Sequence, residues 1–155
     1  MAESKKIQSM IGLEENQAIN LSASVEGLSN VVVVELLRGI SHDSRKHAGF
    51  YKAILTLLKS EQKAINEQEY INLQSVIEKH IQIESRMIKE VNSLLKNEKD
   101  TRIVQILKQI YDDELRHHTL MEHLLEAVIR REAILEEDVW DMVWSDVPGH
   151  GAPPG

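Results

Sequence analysis

Glu114 and His117 stand three residues apart, a spacing that puts a carboxylate and an imidazole on one face of a helix, where both can reach one cation. They are not isolated. Adding 70 to a residue number carries Glu14 onto Glu84, Asp43 onto Asp113 and His47 onto His117 without a gap. Glu14 follows Ile7 and Ile11, and Glu84 follows Ile77 and Ile81, at helical spacings of four and three. His47 continues the series Leu37, Ile40, Ser44, and His117 the series Leu107, Ile110, Glu114. Ionisable side chains from four helical segments therefore share apolar stripes, which implies that they point inward. A buried carboxylate without a partner is costly, so the arrangement asks for a counter-charge, and a metal cation supplies one. Oxygen and imidazole donors without thiolate suit iron or manganese, with zinc a frequent substitute. The metal-free alternative is a bundle held by a buried network of Glu, Asp and His.

The elements that must position these residues follow from the same repeat. It aligns Asn30 with Asp100, Val34 with Val104, Leu37 with Leu107, Ile40 with Ile110 and Leu55 with Leu125. Two copies of one helical hairpin make an all-α four-helix bundle. No proline precedes Pro148, so nothing in the body forbids long helices. Apolar periodicity predicts them over Lys5–Leu28, Val31–Ser60, Tyr70–Leu95 and Thr101–Leu135. The breaks fall at Gly27, Ser29 and Asn30, at Asn66, and from Asn97 to Asp100, with Asn30 and Asp100 suited to N-capping. The run Val31–Val34 has strand propensity, yet it passes without a turn signal into Glu35-Leu36-Leu37, so helix is expected there.

Asp113-Glu114-Leu115-Arg116-His117 resembles the Asp-Glu-x-Arg-His motif of the ferritin-like superfamily, which includes ferritins, rubrerythrins and di-iron oxygenases; the resemblance spans about residues 5–130. It implies a ferritin-like bundle over residues 1–135, with Glu114 and His117 as metal ligands, Asp113 supporting a ligand histidine, and Glu14 and Glu84 as the lone glutamates of the other helices. The first repeat departs from the motif. It reads Asp43-Ser44-Arg45-Lys46-His47, so Ser44 stands where the family places its second, usually bridging, carboxylate. A single ion, an unequal pair, and recruitment of a substitute donor all remain open. His80, one turn before Glu84 on the same face, is the best substitute. Asp43, four residues before His47, is another, or else orients a histidine. The expected ligand set is thus Glu14, His47, His80, Glu84, Glu114 and His117, supported by Asp43 and Asp113. Glu15 faces away from Glu14 by about 100° of helix. His42, His118 and His123 are expected at the surface, and Tyr111 as a packing residue or a neighbour of the site.

The chain has no cysteine, which excludes disulfides, thiolate zinc sites, iron–sulfur clusters and thiol catalysis. A fused rubredoxin-type centre is excluded too, so a peroxidase of the rubrerythrin kind would need an external reductant. A net charge of -7 argues against a nucleic-acid binder. The first residues hold no apolar run suited to a signal peptide or membrane span, and the expectation is a soluble, cytoplasmic protein with no membrane partner. Residues 136–155 change character, with Trp140 and Trp144 ahead of Pro148, Pro153 and Pro154. This tail is expected to dock on the bundle or on a neighbouring subunit of a homo-oligomer. The functional expectation is a non-haem protein binding one or two ions per chain, iron foremost with manganese or zinc as alternatives, and reacting with dioxygen or peroxide as a di-iron oxidase or peroxidase does. The alternative is a metal-stabilised or metal-free helical module for binding or assembly, without redox activity.

Overall fold

The computed structural model describes residues 2–59 and 66–130 and is all-α. Its helices are α1 (Ala2–Ser24), α2 (Val31–Leu57), α3 (Glu67–Asn97) and α4 (Thr101–Arg130), and no strand occurs among the described residues. Helix α1 packs on α2 and α3 on α4. This is the helix inventory and the pairing expected of two repeated hairpins, and the chain divides into two compact units accordingly. The expected end of the fourth helix at Leu135 and the tail over 136–155 lie outside the described residues.

Local chemistry sets the ends. Helix α1 stops at Ser24, short of the expected Leu28, because the Ser24 hydroxyl turns back to donate to the Leu21 carbonyl at 2.8 Å and Gly27 takes a φ of +79°, open to glycine. Asn30 then caps α2, its Oδ1 accepting from the Val32 and Val33 amides at 3.1 Å each. Helix α3 begins at Glu67, earlier than periodicity alone suggested, because Asn66 and Glu69 form a reciprocal capping box. Asp100 starts α4: its Oδ1 accepts from the Arg102 amide at 2.9 Å, and its carbonyl accepts from the Val104 amide at 2.9 Å. The Arg102 guanidinium, and then the backbone amides of Arg102 and Ile103, hold the Asp100 carboxyl below the ordinary aspartate range.

Each hairpin closes along a seam with a period of seven. In the first, Val34, Ser41, Ala48 and Leu55 of α2 are buried at that interval, as are Ile11 and Ala18 of α1. Small residues let the two backbones approach: the Ser41 hydroxyl donates to the Ala18 carbonyl at 2.9 Å and lies 2.8 Å from Ser22 Oγ. In the second, the buried row is Ile77, Glu84 and Val91 of α3. On α4 the equivalent of the α2 row is Val104, Tyr111, His118 and Leu125, all half-buried. Tyr111 and His118 are far larger than Ser41 and Ala48, and the facing row changes with them. Helix α3 buries the positions that align with Ile7, Glu14 and Leu21, whereas α1 buries Ile11 and Ala18.

Further apolar rows stand exposed: Leu36, Ile40, Phe50, Ile54 and Leu57 on α2, Leu73, Met87 and Leu94 on α3, and Ile103, Ile106 and Ile110 on α4. No helix among the described residues is long and apolar enough to cross a membrane.

Candidate metal centre

Glu84 occupies the middle of the α3 seam, two turns from Ile77 on one side and from Val91 on the other, and is 3% exposed. Helical periodicity turns it inward along with its apolar neighbours. Its Oε1 lies 3.0 Å from His80 Nε2, one turn earlier on α3, and 3.9 Å from His117 Nδ1 on α4. Its Oε2 is buried with no hydrogen-bond partner. A carboxylate oxygen left in this state is expensive unless a ligand completes it.

Helix α4 brings the complement. Glu114 and His117, one turn apart, present donors to the same point, and one ligand atom from each of Glu84, Glu114 and His117 lies within 4.8 Å of the other two. Two donors about 2.1 Å from one ion stand about 3.0 Å apart at right angles and about 4.2 Å apart when opposite. The cluster is therefore within a small side-chain adjustment of surrounding a single cation. Its donors are two carboxylates and an imidazole, without sulfur, which fits iron, manganese or zinc.

The first hairpin places the aligned residues differently. Glu14 Oε1 lies 3.4 Å from His47 Nδ1, and Ser44, 4% exposed, takes the position of Glu114. A neutral hydroxyl is a poor donor to a hard cation. Among the described residues the only triad of potential donors within reach of one another is that of the second hairpin. The expectation that both histidines point inward needs correction in part: the side chains of His47 and His117 are 49% and 51% exposed, lying on the flanks of their seams. His80 is similarly half-exposed, in one row with Leu73, Met87 and Leu94.

The two aspartates contact cations on their own helices. Asp43 accepts from Lys46 at 2.6 Å and Asp113 from Arg116 at 2.7 Å. Glu15, expected to face away from Glu14, pairs with Lys52 at 2.6 Å across the first hairpin. His118 departs from its expected surface position. It sits in the α4 seam with Nε2 3.3 Å from Glu122 Oε1 and a buried Nδ1 that has no hydrogen-bond partner. The signal that could have placed it is the seven-residue row of α2, whose Ala48 it replaces.

The family model described as Rubrerythrin matches residues 20–125. The matched stretch takes in His47, His80, Glu84, Glu114 and His117 and begins after Glu14. Comparison with curated proteins and with solved structures gives no match.

Proposed function

The chain belongs to the rubrerythrin family, and from that membership and the orphaned Glu84 oxygen we propose that it is a non-haem metal protein that holds iron and reacts it with dioxygen or peroxide. Glu84, Glu114 and His117 are the ligands for one ion, and Glu14 and His47, paired in the first hairpin, are the donors for a second where two are bound. Manganese or zinc would be held by the same atoms. Iron held by these residues would supply the redox chemistry toward dioxygen or peroxide.

The chain's own contribution is to hold the donors and control the surroundings. Glu84 offers a carboxylate in a seam it shares with buried Ile77 and Val91, so its attraction for a cation would be little screened. Glu114 and His117 arrive together because they share one turn of α4. The Arg116–Asp113 pair lies within the same motif, where Asp113 supports the ligand geometry through that turn, and Asp43 does so in the first hairpin.

The single observation that carries the proposal is the buried, unpartnered Oε2 of Glu84, on a residue that has a ligand atom within 4.8 Å of one from each of Glu114 and His117. The test is anaerobic loading with ferrous ion followed by admission of oxygen, on the native protein and on Glu114→Ala. Iron that stays bound, with an oxygen-dependent absorbance change lost in the variant, supports it. Bound but redox-silent iron would support a different function, a helical assembly module in which the ion is structural, a possibility favoured by the exposed apolar rows.

A further inference from the structure

Beside the triad of Glu84, Glu114 and His117 the second hairpin carries one more potential donor, His80, which has no counterpart in the first hairpin. It lies outside the triad, touches Glu84 alone, and would have to turn its half-exposed ring toward Glu114 and His117 to join them. His80 aligns with Met10, so the repeat does not explain it. Its Nε2 stands 3.0 Å from Glu84 Oε1, a hydrogen-bonding distance in the metal-free chain that also matches the separation of two donors at right angles on one ion, about 3.0 Å. His80 and Glu84 are one turn apart on α3, and Glu114 and His117 one turn apart on α4, so each helix offers a chelating pair. Glu84 and Glu114 carry two negative charges, enough to neutralise a divalent cation in a seam where Glu84 is 3% exposed. In the first hairpin Glu14 brings a single carboxylate, and Ser44 adds none.

We infer that the chain holds one metal ion, bound within the second hairpin by His80, Glu84, Glu114 and His117, with His80 a direct ligand. This rests on the proposal that the chain is a metal protein, and narrows it to a mononuclear centre with two imidazoles and two carboxylates. The unequal repeats then have a physical meaning: the second hairpin carries an imidazole at His80 where the first has Met10, and a carboxylate at Glu114 where the first has Ser44.

Anaerobic titration of the metal-stripped full chain with cobalt(II) tests this without turnover, read by visible ligand-field absorbance and by metal retained after gel filtration. The expected result is one cobalt per chain and two hyperfine-shifted imidazole N–H proton signals by NMR. In His80→Ala and His80→Gln, whose helix content is checked by circular dichroism, affinity falls at least tenfold, the absorbance shifts and one of the two signals disappears. Two cobalt ions per native chain, a third imidazole signal, or unchanged binding in either folded His80 variant would overturn the inference and leave the metal proposal standing. No cobalt bound by the native chain would overturn both.

Discussion

At the scale of single residues, Glu84 separates a metal site from an ordinary seam. A carboxylate in the middle of an apolar row is a liability to the metal-free fold, because one of its oxygens has no partner. Glu84→Gln keeps the shape and removes the charge. It is expected to abolish metal binding while leaving the metal-free protein no less stable, because the amide that replaces the carboxylate is still a buried polar group but carries no charge to desolvate. Urea unfolding with and without metal measures both effects, and a variant destabilised without metal would show that Glu84 is held by protein contacts instead. The type and spacing of Glu14, Glu84, Glu114 and His117 were legible in the sequence, since periodicity and a repeat suffice to place them on stripes. The half-exposure of His47 and His117 was not, because a stripe about 100° wide has flanks as well as a centre.

At the scale of elements, caps and seams decide how firmly each hairpin is held. Asn30 is the sole side chain satisfying the Val32 and Val33 amides, so Asn30→Ala is expected to cost about 1 kcal/mol in chemical denaturation. Ser41→Ala removes a buried hydroxyl from the Ala18 carbonyl in the first seam, and is expected to cost a similar amount, about 1 kcal/mol. Asp100 contributes through charge as well as capping. Its carboxyl lies below the ordinary range in the folded chain, so its contribution is complete above the unfolded aspartate value and is lost as pH falls through the lowered one. Asp100→Asn keeps a capping oxygen and loses the pair with Arg102, so unfolding followed from neutral to acid pH should show a shallower decline in the variant. The helices and their caps could be read from the sequence because they depend on neighbours three and four residues away. Which row of α3 faces α4 could not, since it depends on Tyr111 and His118 occupying the positions of Ser41 and Ala48, a comparison of volumes across a hairpin.

At the scale of the whole molecule, the account joins a repeated fold to an unrepeated site. The 70-residue repeat explains why two hairpins form, and the difference between Ser44 and Glu114 explains why the donor triad lies in one of them. A ligand that binds only the folded chain stabilises it by mass action, by about 2.7 kcal/mol at a hundredfold excess over Kd. The melting temperature should therefore rise with free metal concentration in the native protein and stay flat in Glu84→Gln. The most direct test of the central claim is elemental analysis of the native chain and of Glu114→Ala after dialysis against ferrous ion under anaerobic conditions. The account predicts iron retained by the native chain and lost from the variant; equal iron in both, or none in either, would contradict it.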